Sequence, residues 1–109
     1  MTLNELLNES GWTLLTDGEN LEQTIKGAYA GDLLSWVMGR APADSAWLTV
    51  MGNINSIAVA TLADVSCIVL VESAALDDEA KAKAEMHDVT ILSTDKNSYT
   101  LAVELSKLI

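Results

Sequence analysis

The chain has 109 residues, of which half are apolar and a fifth are charged, and this composition excludes an intrinsically disordered segment. Sixteen acidic residues against six scattered basic ones give a net charge of −10, so no nucleic-acid partner and no anionic membrane partner is expected. No apolar stretch reaches the roughly 18 residues of a membrane span. We therefore expect one cytoplasmic domain over residues 1–109.

The first part of the sequence predicts a short helix and then brief extended segments. Thr2 and Glu5 have the spacing of a capping box, and Gly11 ends the helix that they open. Residues 12–15 are apolar enough for a short strand. Residues 28–30, which lie between two glycines, predict an irregular segment or a short edge strand.

The middle of the sequence predicts a helix, a strand and a second helix. Asp32 is placed to cap a helix over residues 33–38, whose apolar side chains share one face, with Gly39 just past its end. Residues 46–51 read as a buried strand, and apolar residues recur at helical spacing over 54–62.

The last part of the sequence predicts strands that alternate with helices. The β-branched apolar run 65–71 is the clearest strand, and residues 77–86 form an alanine-rich helix that opens on acidic side chains. Residues 89–92 form another strand, after which Asp95 or Asn97 caps the final helix. This order predicts a layered α/β domain, in which a small, mainly parallel or mixed sheet is flanked by helices on right-handed crossovers.

Most catalytic classes need residues that this sequence lacks. It contains no P-loop and no Gly-x-Ser-x-Gly motif, and its only histidine, His87, lies at a helix C-terminus, where the helix dipole accounts for it. Cys67 lies in an apolar run and is assigned to the core. The acidic residues 77–79 fit a solvated first helical turn better than a metal site. We predict no enzyme activity, no catalytic residue and no metal ligand, and the cofactor stays unknown.

Two glycine-bearing turns, at residues 27–32 and 52–55, are candidate ligand sites, because backbone N–H groups at a helix N-terminus reached through glycine can bind an anion. If the strands near residues 48–51 and 65–71 are parallel, their carboxyl ends form a ligand crevice beside these turns. A capping role for Asp32 and Asn53 is the favoured interpretation, and Asp32 also brings a charge that repels an anion. The candidate ligand-binding residues are Gly31, Asp32, Thr49, Asn53 and Asn55.

Several blocks of the sequence, taken in their order and spacing, resemble the DRTGG domain family. These blocks are GDLLS at residues 31–35, LT at 48–49, NSIAVA at 55–60, and residues 77–92 with the last helix. The resemblance covers nearly the whole chain. It implies an α/β domain similar to the N-terminal domain of HPr kinase/phosphorylase, which is distinct from the catalytic P-loop domain of that enzyme. Members of the family often accompany CBS nucleotide-sensing domains or occur alone, which implies a sensor or assembly role.

Two positions depart from the family pattern. Gln23 and Ala28 stand where the resemblance leads us to expect an arginine and a second glycine. The departure argues against an anion site in that stretch.

The sequence favours two functions. The first is a non-catalytic regulatory module that senses a small ligand. The alternative is a protein-interaction or homodimerisation module, because apolar content is high for so short a chain and surplus apolar surface favours a partner protein or a second copy. Trp36 and Trp47 are the candidates for such a contact, although a core position is favoured for Trp47.

Overall fold

The structure, a computed structural model, describes all residues from 1 to 109 as five strands and five helices. In chain order the elements are α1 (Leu3–Ser10), β1 (Thr13–Thr16), β2 (Gly27–Ala30), α2 (Leu34–Arg40), β3 (Ser45–Thr49), α3 (Ile54–Ala63), β4 (Cys67–Leu70), α4 (Asp78–Met86), β5 (Ile91–Ser93) and α5 (Ser98–Leu108). None of these helices combines the length and the apolar character that crossing a membrane requires.

The strands form one sheet in the order β1-β5-β4-β3-β2. Strands β2 to β5 are parallel to one another, and β1 pairs antiparallel with β5 and closes that edge. The predicted α/β fold with a small, mainly parallel, mixed sheet flanked by helices is therefore confirmed.

Helices cover both faces of the sheet, which explains the continuous apolar runs of the central strands. Alternate side chains of each strand point to opposite faces. One face packs against α2, α3 and α4, and its strand residues are Trp47, Ile68, Leu70 and Ile91. The other face packs against α1 and α5. Its residues are Ala46, Leu48, Cys67, Val69 and Leu92 in the strands and Val71 directly after β4.

The observed boundaries of helix α2 differ from the predicted ones. Leu33 occupies the N-cap position and makes no side-chain cap, so the prediction that Asp32 caps this helix is wrong. Gly39 lies inside the helix, whose last residue is Arg40 and whose C-cap residue is Ala41. Ala41 precedes Pro42, and the proline ring favours the extended conformation that Ala41 adopts, so no left-handed glycine is needed to end the helix.

Hydrogen bonds show which of the other predicted residues cap their helices. Thr2 and Glu5 form the predicted capping box of α1. Of the two residues proposed to cap α5, Asn97 does so, because its side chain accepts a hydrogen bond from the backbone N–H of Thr100 at 2.9 Å.

Candidate functional site

The parallel strands bring part of the predicted site together at the carboxyl edge of the sheet. One carboxylate oxygen of Asp32 accepts hydrogen bonds from the hydroxyl of Thr49 at 2.6 Å and from the N–H of Val50 at 3.0 Å. The indole N–H of Trp47 donates to the carbonyl oxygen of Gly31 at 2.8 Å. These bonds connect the loop after β2 to the end of β3. Asp32 therefore binds the end of β3 and does not cap α2 as predicted.

The two asparagines of the predicted site lie at the start of α3. Asn53 is the N-cap residue, and its side chain accepts from the N–H of Ser56 at 3.1 Å. Asn55 lies in the first turn of the helix with an exposed side chain. The capping interpretation of Asn53 is therefore what the geometry shows, and Asn55 remains accessible.

The loops that follow β3 and β4 touch each other where the crevice is expected. The two strands are adjacent and parallel, as the hypothesis required. A Cβ atom at Gly52 would lie 2.0 Å from the carbonyl oxygen of Ala75, and the carbonyl oxygen of Gly52 accepts from the N–H of Asp77 at 2.9 Å. The loops after these two strands are thus in direct contact, and glycine is the residue that permits the approach.

The topological switch of the sheet lies one strand further along. The chain leaves β4 toward α4 on one face and leaves β5 toward α5 on the opposite face. In parallel α/β sheets the ligand crevice forms at such a point, outside the carboxyl ends of the strands.

A polar cavity of about 400 Å³ opens beside this switch, where β5 ends and β1 begins. Its lining includes side chains from three separate segments: Ser10, Thr13, Ser73, Ser93, Thr94 and Lys96. We call this space the switch cavity. Hydroxyl groups dominate its wall.

The loop after β4 meets the switch cavity in a conformation that side chains rarely adopt. Glu72 and Ser73 have φ values of 56° and 53°, in the left-handed region. Their N–H groups donate to the carbonyl oxygens of Lys96 and Thr94 at 2.8 and 2.9 Å, which holds the loop against the end of β5. Strained backbone of this kind concentrates at ligand clamps and other functional sites.

Lys96 is the only basic side chain on the cavity wall, and its charge is already paired. Its ammonium donates to one oxygen of Glu104, whose other oxygen accepts from the indole N–H of Trp12 at 3.1 Å. The bonds from Lys96 and Trp12 hold the pKa of Glu104 below its usual range. The carboxylate therefore stays ionised and keeps Lys96 in place.

The family of the chain is shown by a match of its sequence to a known domain. The sequence pattern of the DRTGG domain matches residues 5–108. The chain belongs to the DRTGG domain family. The predicted resemblance is thereby confirmed over nearly the whole length. No curated protein matches the chain.

A solved structure shares the fold of this DRTGG domain. It contains the CBS and DRTGG domains of the regulatory region of a Clostridium perfringens pyrophosphatase, complexed with its activator, diadenosine tetraphosphate. The TM-score is 0.76 at 13% sequence identity, and the match covers 95% of this chain and 45% of that chain. The DRTGG domain thus spans less than half the length of that regulatory region.

Sequence reasoning missed the switch cavity of this DRTGG domain. A partial signal was present, because Ser93, Thr94 and Asp95 follow a predicted strand. The opposite wall comes from Ser10 to Thr13. Thr13 pairs with Ser93 across β1 and β5, so the two walls are about 80 residues apart in the chain. That pairing of an antiparallel edge strand has no local sequence signal.

Proposed function

We propose that this DRTGG domain is a non-catalytic regulatory module that senses a small ligand at the carboxyl edge of its sheet. The observation that carries the proposal is the coincidence of an open polar cavity with the topological switch between β4 and β5. A cavity of about 400 Å³ lies in the size range of small-molecule sites, about 300–1,000 Å³.

The fold neighbour supports a regulatory role. A DRTGG domain forms part of the regulatory region of that pyrophosphatase, and the region is complexed with an activator, diadenosine tetraphosphate. Nucleotides accordingly belong in the first set of compounds to be tested with this domain.

The positions of the most reactive side chains support a role without catalysis. His87 is the C-cap residue of α4, and Cys67 is the first residue of β4, so both lie at the amino edge of the sheet. The switch cavity lies at the opposite edge and is lined by neither of them. Its hydroxyl-rich wall suits binding by hydrogen bonds.

A thermal-shift screen tests the proposal. The compounds are ATP, diadenosine tetraphosphate, glucose 6-phosphate, D-ribose and Mg²⁺. We expect at least one of them to raise the melting temperature, because a ligand that binds only the folded state stabilises it. At a concentration 100 times Kd the gain is about 2.7 kcal/mol, or roughly 10 °C for a domain of this size. If none of the compounds raises the melting temperature, the proposal is contradicted.

Two variants locate the site for any compound that binds. Ser93→Ala removes a hydroxyl from the wall of the switch cavity, and we expect it to reduce the shift. Asn55→Ala removes the accessible amide of the site predicted from the sequence, and it is the matched control at the β3 end. If Asn55→Ala abolishes the shift and Ser93→Ala does not, the ligand binds at the predicted residues instead.

A specific feature of α3 favours homodimerisation as the second candidate function. Its ten residues, Ile54 to Ala63, include no charged side chain, although the protein as a whole carries a net charge of −10. Ile54 and Leu62 are 39% and 72% exposed on its outer side. An apolar groove of about 350 Å³ runs between α3 and α4. A surface helix that carries no charged side chain and exposes large apolar ones is typical of one that a partner covers.

Light scattering at micromolar concentration tests the dimer. We expect a particle of twice 11.6 kDa for the unmodified protein and the 11.6 kDa monomer for Leu62→Glu, because a buried unpaired charge is unfavourable at an interface. Tyr99→Glu is the control, since Tyr99 is 79% exposed but lies on α5, on the opposite face of the sheet. A monomeric unmodified protein contradicts this second function.

A further inference from the structure

We propose that the switch cavity binds an uncharged, polyhydroxylated ligand, either a free sugar or the ribosyl group of a nucleoside. This inference rests on the proposed ligand-sensing function and adds the chemical class of the ligand. It follows from two properties of the wall, its unengaged hydroxyl groups and its charge.

Three hydroxyls of the wall are available to a ligand. Within the protein, the hydroxyl of Ser10 accepts from the N–H of Trp12, and that of Thr94 accepts from the N–H of Lys96. Thr13, Ser73 and Ser93 make no side-chain hydrogen bond to another part of the chain. A hydroxyl both donates and accepts, and the hydroxyls of a sugar do the same, so each contact satisfies both partners.

Two of these hydroxyls belong to one rigid element. Thr13 and Ser93 are direct partners in the β1 and β5 register, so their side chains leave the same face of the sheet side by side. Ser73 reaches the cavity from the loop that its own N–H and that of Glu72 hold against β5. Neighbouring hydroxyls on a fixed sheet edge match the vicinal diol of a sugar ring better than they match an isolated polar group.

The charges at the cavity disfavour an anionic ligand. Lys96 is neutralised by Glu104, whereas Asp95 lines the cavity and forms no ion pair. The wall therefore presents one uncompensated carboxylate. A phosphate or carboxylate group placed in the cavity is repelled by Asp95 and finds no free cation. The preferred ligand is one whose polar groups are neutral.

Titration of the ¹⁵N-labelled protein followed by NMR tests the ligand class, with D-ribose, adenosine and AMP as probes. We expect ribose or adenosine to produce saturable shifts of the Ser73, Ser93 and Thr94 amides. AMP should bind at least about threefold more weakly than adenosine, from the repulsion of one like charge near a surface carboxylate. The absence of saturable shifts with both ribose and adenosine overturns the inference.

Three variants sharpen the result. Ser93→Ala and Thr13→Val should each weaken binding about tenfold, the effect of one lost hydrogen bond, while the spectra show that the fold is retained. Asp95→Asn should reduce the preference for adenosine over AMP, because it removes the repelling charge. Thr100→Val, on the exposed surface of α5, is the control. An Asp95→Asn variant with an unchanged preference contradicts the charge argument.

The outcomes separate this inference from the proposed function. If ATP or glucose 6-phosphate stabilises the protein while ribose and adenosine leave the spectra unchanged, the ligand class is wrong and the regulatory function stands. If no compound of either set binds, both are contradicted.

Discussion

Replacing Trp47 with alanine is expected to lower the free energy of unfolding by about 3–5 kcal/mol. Trp47 is fully buried in the inner strand β3, in the core formed with α2, α3 and α4. The substitution leaves a large void in that core. It also removes the indole N–H that donates to the carbonyl oxygen of Gly31. Urea denaturation followed by circular dichroism measures the change.

Trp36→Ala is the matched control, because the same atoms are removed from a residue that is 52% exposed. Trp36 lies on α2 with the guanidinium of Arg40 3.8 Å from the centre of its ring. Its replacement should cost no more than about 1 kcal/mol, the range of a surface cation–π contact. Equal losses for the two variants contradict the assignment of Trp47 to the core and of Trp36 to the surface.

The thiol of Cys67 is expected to react with a thiol reagent only when the domain unfolds. Cys67 is fully buried in β4, and burial raises the pKa of its thiol from 9.0 to about 12. At pH 8 this lowers the reactive thiolate fraction about a thousandfold, and burial excludes the reagent as well. The rate of labelling with and without urea measures the protection.

An exposed cysteine supplies the control for this experiment. Ser106→Cys in a Cys67→Ala background places a thiol on the exposed side of α5, and it should label rapidly in the folded protein. Rapid labelling of Cys67 without denaturant contradicts its burial.

The same pKa predicts how stability depends on pH. Between pH 9 and about 12 the unfolded chain has lost the thiol proton and the folded chain retains it. The unfolded state then binds fewer protons, so stability falls as pH rises, by up to about 1.4 kcal/mol per pH unit from this group. The Cys67→Ala variant lacks this contribution, and the difference between the two denaturation series isolates it.

Local sequence patterns predicted only part of the candidate site. Asp32 lies in a predicted glycine-bearing turn and Thr49 lies in a predicted strand, and the parallel strands bring the two side chains into contact. Their hydrogen bonds then occupy Asp32 with the protein itself. Beside them Gly52 packs against Ala75, a contact between two loops that no periodicity indicates.

The sequence alone determined the order of the elements, the mainly parallel sheet and the family. The order of the elements and the sheet follow from local physics, because apolar spacing, capping residues and continuous β-branched runs act within a few residues of one another. The family follows from the resemblance of the sequence blocks. Only the tertiary structure decided that β1 joins β5 antiparallel and that α5 leaves β5 on the face opposite α4. Both choices depend on which distant apolar faces bury each other, and together they place the switch cavity between Ser93 and Thr13.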